Sequence, residues 1–253
     1  MAKNINSAYR IKEIINAAKN KAENIHTHEV WADIFDIKET DQNRKNFSIS
    51  RCLADLHDEV EHVRNEMQRL GYSINLYNSS LNKCNSVFAV HAIMSAWKSL
   101  KQQITPEIAI ALGFCSEILP NEEDLLDEEI LEELRRLAKD LRETLEKSTL
   151  PQHTISIIQK HLGKIEEALI TYKIVGAKAL DEVMQAAYGE VIANEAIFEQ
   201  AKGSTELSKL SLMWQKTKSV LDGITTTNDR LGAIQGMAEK GQKVIEFLEH
   251  FNV

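Results

Sequence analysis

The sequence predicts an all-α protein, a multi-helix bundle of about nine helices, and three observations carry that prediction. Apolar residues step by four and three along Ile49, Leu53, Leu56, Val60, Val63, Met67 and Leu70, which keeps one stripe on one face of a helix. Comparable ladders recur at Ile130, Leu134, Leu137, Leu141, Leu145, at Ile155, Ile158, Leu162, Ile165, Leu169, Tyr172, and at Leu180, Met184, Ala187, Val191, Phe198. Alternating period-two runs are absent, so no sheet is expected.

The elements follow in order. Helices are expected near residues 6–25, 49–70, 85–101, 106–118, 124–147, 152–173, 177–201, 205–223 and 229–250, with a short one over Glu29 to Phe35. The polar stretches Asp36 to Ser48 and Gly71 to Ser86 read as surface loops. The chain has 3 prolines, and each marks a helix boundary. Thr105-Pro106-Glu107 sets a cap residue before proline at the first helical position, Leu119-Pro120-Asn121 stops one helix and caps the next, and Leu150-Pro151 precedes the third ladder. Later breaks fall at Val175-Gly176, Gly203-Ser204 and Thr225-Thr226-Thr227-Asn228.

Val87-Phe88-Ala89-Val90 and Ile108-Ala109-Ile110-Ala111-Leu112 lie in segments that are apolar nearly all round, whereas the helices after residue 121 are amphipathic. This predicts two central helices buried by the rest, and a shift in composition near Pro120. Residues 1–120 form an N-terminal helical region and 121–253 a C-terminal acidic bundle, a division equally consistent with a turn inside one continuous domain.

At 253 residues, 43% hydrophobic and 27% charged, the chain has the balance of a soluble globular protein. Residues 1–120 hold 14 Lys+Arg and 14 Asp+Glu, so of the totals of 30 and 38 the remainder holds 16 and 24, and carries the whole net charge of -8. The densest part spans Asn121 to Glu133, where Glu128, Glu129, Glu132 and Glu133 meet no basic residue. Phosphate backbones repel such a surface, which disfavours nucleic acid. A solvated helix start accounts for the acids, and a basic protein partner would also suit them. Cys52, Cys84 and Cys115 lie in apolar helical surroundings without metal-binding spacing, so reduced thiols are expected. No apolar run reaches the roughly 18 residues of a membrane span, and Met1 to Asn6 leads into a charged amphipathic stretch without a secretory signal. The expectation is a cytoplasmic protein.

Two Glu-x-x-His pairs, Glu23/His26 and Glu59/His62, have the spacing by which a carboxylate and an imidazole share a helix face in di-iron bundles. A bundle metal site points inward, whereas Glu59 and His62 each precede a seam position, Val60 and Val63, and read as flank residues; no metal is expected. His91, among Ala89, Val90, Ala92, Ile93, Met94 and Trp97, reads as a satisfied core or helix-boundary histidine, and would seat a site if the chain were an enzyme. The absence of G-x-S-x-G, Walker A, G-x-G-x-x-G and H-E-x-x-H removes the usual starting points for catalysis, and no cofactor is implied. In the last segment Gly232 and Gly236, with Leu231, Ile234, Ala238, Ile245 and Leu248, suggest close packing against Trp214 or against a second subunit.

Leu131 to Phe198, with Leu150-Pro151, Ala168-Leu169-Ile170-Thr171-Tyr172-Lys173-Ile174-Val175-Gly176-Ala177 and Ala187-Tyr188-Gly189, resembles a helical module of uncharacterised bacterial proteins. The resemblance implies bacterial origin and no activity. The expected function is a helical protein-interaction factor, an accessory, regulatory or immunity-type component, binding a protein partner or itself through Glu128, Glu129, Glu132, Glu133, Trp214, Gly232 and Gly236. The alternatives are an enzyme with a site near His91 and a conditional membrane-active protein that exposes residues 85–119.

Overall fold

The computed structural model describes residues 4–123 and 128–223. Among these the chain forms eleven α-helices and no strand; the only β pairing is an isolated antiparallel bridge between His26 and Ala96. The chain divides into two compact units. Unit 1 comprises residues 1–122 and Lys173–Gly176; unit 2 comprises Glu123–Tyr172 and the chain from Ala177 onward. The expected single boundary near Pro120 does not anticipate the return of residues 173–176 to unit 1.

Unit 1 holds α1 (Ser7–Lys19), α2 (Thr27–Ile34), α3 (Gln42–Arg69), α4 (Asn78–Val87), α5 (Trp97–Lys101) and α6 (Pro106–Ile118). Helix α1 packs on α3 and α6, and α4 packs on both α3 and α6. The α3 ladder is buried from Ile49 to Met67, while Leu70, at the helix end, is exposed. Helix α3 begins seven residues before the predicted start, because the Asp41 carboxylate accepts from the Arg44 N–H at 2.8 Å and caps a polar first turn. The predicted loop after Gly71 contains α4, whose Leu81, Cys84 and Val87 face inward at helical spacing despite the surrounding Asn and Ser. The predicted helix 85–101 is instead broken. Ala89 and Ala96 are extended, a short 3-10 turn covers Val90–Ala92, and α5 is only five residues long.

The interior of unit 1 is anchored by aromatic rings. Trp31 lies edge-on to Trp97 and Phe88 with centroids 5.6 and 5.8 Å apart, and stacks on Phe35 at 5.7 Å, geometries that suit the ring quadrupoles. The chain before α1 is tied to the end of α6. Asn4 donates to the Ser116 and Leu119 carbonyls at 2.9 and 2.7 Å, and Asn6 donates to the same two at 3.0 and 3.2 Å. These amides satisfy carbonyls that a helix C-terminus leaves without an internal partner, while the Asn6 oxygen caps α1 by accepting from the Tyr9 N–H.

Unit 2 holds α7 (Glu128–Leu145), α8 (Gln152–Val175, of which the part through Tyr172 belongs here), α9 (Lys178–Ala193), α10 (Glu195–Gln200) and α11 (Thr205–Gly223). Helix α11 packs on α7 and α9. The α8 residues Ile155, Ile158, Leu162, Ile165 and Leu169 are buried, as are Leu180, Met184, Ala187, Val191 and Phe198. On α7 the expected ladder holds at Leu134, Leu141 and Leu145, while Leu131 and Ala138 are buried and their neighbours Ile130 and Leu137 are only partly so. The helix expected over 229–250, with Gly232 and Gly236, lies outside the described residues.

Candidate functional site

Three groupings depart from an ordinary helical core. The first, in unit 1, is a buried ion cluster around Arg10. On α1 this residue shares a face with Ile14 and Ala18, so its guanidinium enters the interior. Its Nη2 lies 2.6 Å from Glu122 Oε2 and 3.5 Å from Glu59 Oε2, its Nε donates to the Ile174 carbonyl at 2.9 Å, and Nη2 reaches Ser7 Oγ at 3.3 Å. Glu122 Oε1 accepts from the Ser7 N–H and hydroxyl at 3.3 and 3.1 Å. Taking these charges out of water is costly, and mutual pairing with added hydrogen bonds is the arrangement that tolerates it.

Glu59 is therefore not a flank residue. It stands three residues after Leu56 and four before Val63, inside the broad buried stripe of α3, and is buried. His62 does lie at the edge, half exposed, with Nε2 3.9 Å from Glu122 Oε1. Glu23 and His26 are exposed; the His26 N–H donates to Glu29 at 3.2 Å at the start of α2, and the His26 ring stacks on His28. Among the described residues no group of three or more His, Cys, Asp or Glu side chains is arranged to hold a metal, so the two Glu-x-x-His pairs do not assemble a centre.

The second grouping is in unit 2. His161 is fully buried, and neither ring nitrogen has a hydrogen-bond partner. Its ring meets Trp214 and Phe198 edge-on, with centroids 5.9 and 6.0 Å apart. Burial pushes the imidazole down to about 4, outweighing the Glu190 carboxylate 3.9 Å from Nε2. Burial opposes the charge of Glu190 as well, but Lys160 and Lys164, at 2.9 and 2.5 Å from its Oε1, hold it below the usual carboxylate range. Trp214, expected at a partner contact, is instead fully buried in this core.

The third grouping is an apolar surface on unit 1. On α6, Ile110 and Phe114 are one turn apart, the former 70% exposed, and the Phe114 ring meets Tyr72 edge-on at 6.0 Å. Ile74 and Leu76, which follow Tyr72, are also exposed, Leu76 by 58%. The opposite face of α6, with Ile108, Leu112 and Cys115, is buried, so only one side of this apolar helix is central. His91, expected in the core or at a helix boundary, lies in the 3-10 turn and is exposed, while Ala92 and Ile93 beside it are buried.

The acidic start of α7 is engaged within unit 2. Arg135 Nη1 contacts Glu128 at 3.2 Å and Glu132 at 2.5 Å, and Lys216 on α11 pairs with Glu133. Glu129 is exposed. Sequence reasoning missed Arg10 and His161. Both carried a signal, since each is a titratable residue at a core position of an apolar ladder, Arg10 four before Ile14 and His161 three after Ile158.

Comparison with known proteins returned no matching family model, no matching curated protein and no matching solved structure.

Proposed function

We propose that this chain is a helical protein-interaction factor, an accessory, regulatory or immunity-type component of a bacterial cytoplasmic system, that docks through the apolar surface of unit 1. The observation that carries this reading is the exposure of Ile110 and of Phe114, whose ring meets Tyr72, together with the exposure of Ile74 and Leu76 just after Tyr72 in the chain. Large apolar side chains left in water on a folded unit mark interaction sites when they gather in one patch, and the Tyr72–Phe114 contact brings two of these together. The complementary partner is a protein that offers an apolar helix face, and a second copy of the chain meets that description. The start of α7 contributes less to docking, because Glu128, Glu132 and Glu133 already have intramolecular cations. Among the described residues no helix is long and apolar enough to cross a membrane, which favours the protein partner over the membrane alternative.

The test uses Ile110→Asp and Leu76→Asp, alone and combined, with light scattering for self-association and calorimetry against the products of neighbouring genes. The expected result is at least roughly tenfold weaker association in the double variant with an unchanged melting transition. A strictly monomeric wild type without affinity for any neighbour-encoded protein overturns the proposal.

A further inference from the structure

We propose that His161 is a proton-operated switch in unit 2: its core is tight while the ring is neutral, and uptake of one proton by the buried imidazole loosens the packing of α8 around Trp214. The inference is independent of the docking surface on unit 1.

The geometry offers the protonated ring a carboxylate that two lysines already hold, and no hydrogen-bond acceptor. Both nitrogens are shielded from water and lack hydrogen-bond partners. Helices α10 and α11 meet the ring with Phe198 and Trp214, neither of which is charged. The indole Nε1 is a donor only and cannot accept from an imidazolium. From α9 the carboxylate Glu190 stands 3.9 Å away, beyond hydrogen-bond reach, with its other oxygen held by Lys160 and Lys164. Those two ammonium groups, on the same helix as His161, both retain the carboxylate and repel a new positive charge. An imidazolium can gain a partner only by drawing Glu190 from the lysines or by opening to water.

The direction with pH follows from proton counting. The neutral form is held in the folded unit down to about 4, against 6.5 for an unperturbed histidine. Between these values the unfolded chain binds more protons, so folding is unaffected above that window and is progressively lost as pH falls through it. For this single group the folded-to-open ratio drops about twentyfold from pH 7 to pH 5.

Hydrogen exchange on the full chain, corrected for intrinsic rates and read by mass spectrometry, tests the switch. Peptides from α8 and α11 should lose protection about twentyfold between pH 7 and pH 5, more than peptides from α1 and α3. His161→Phe should abolish that selective loss, and Glu190→Gln should leave it nearly unchanged, because the folded ring is already neutral at pH 5 with the carboxylate present. Proton NMR of the wild-type protein needs no variant: the His161 ring should titrate well below the 6.5 of an unperturbed histidine. Titration of that ring near 6.5, or the same selective acid loss in a folded His161→Phe protein, would overturn the proposal.

Discussion

Arg10 Nη2 and Glu122 Oε2 meet at 2.6 Å with both side chains withdrawn from water, fastening the segment after α6 to the first helix. The same guanidinium also holds the Ile174 carbonyl, so one side chain secures two distant stretches of unit 1.

Replacing Arg10 by Met should destabilise unit 1 by about 3–5 kcal/mol, because it strands Glu122 and Glu59 without their cation. The Arg10→Met/Glu122→Gln pair should cost less than the sum of the single changes. Urea denaturation at pH 7 measures both, and strict additivity would show that the pair does not act as a unit.

Two glycines should respond to alanine with opposite sign. Gly163 lies inside α8 with open space where a Cβ would go, so Gly163→Ala should stabilise by about 0.5–1 kcal/mol through helix propensity. Gly203 also has room, but its φ of 77° is left-handed, and Gly203→Ala should destabilise by about 1 kcal/mol. Thermal melts of the two variants separate backbone conformation from crowding.

The cysteines should be chemically silent in the folded protein. Burial pushes the Cys84 thiol up to about 12 and the Cys115 thiol up to about 11. Labelling with a disulfide reagent at pH 8 should be at least about a hundredfold slower in buffer than in denaturing urea, since the thiolate is the reactive form. Rapid labelling of all three thiols in buffer would contradict their burial.

Leu56 and Leu70 occupy equivalent steps of the α3 ladder, yet only Leu56 is buried. Leu56→Ala should cost about 2–5 kcal/mol and Leu70→Ala under about 1 kcal/mol, measured by the same denaturation.

That contrast shows what the sequence made legible. Periodicity identifies the inward face of a long helix well, as on α3 and α9, because the 3.6-residue repeat averages over many turns. It fixes individual positions less well: on α7 Leu134, Leu141 and Leu145 hold, but Leu131 and Ala138 are buried where Ile130 and Leu137 were expected. Short apolar runs mislead further. Val87 to Trp97 is apolar enough for a buried helix, but bends at Ala89 and Ala96 turn Val90, His91 and Met94 to solvent. Arg10, Glu59 and His161 were visible at seam spacing, but hydropathy alone scores such residues as surface. What holds them inside is pairing between distant segments, or in the case of His161 enclosure by rings from other helices, and neither is encoded in local pattern.

The return of Lys173–Gly176 to unit 1 has a temporal consequence for synthesis. A chain that emerges from its N-terminus can form α1 to α6 early, but the Ile174 carbonyl that completes the Arg10 cluster arrives only after α7 and nearly all of α8 have been made. The guanidinium of the first unit to emerge thus pairs with Glu59 and Glu122 at once, and receives its last acceptor only when nearly all of α8 has left the ribosome.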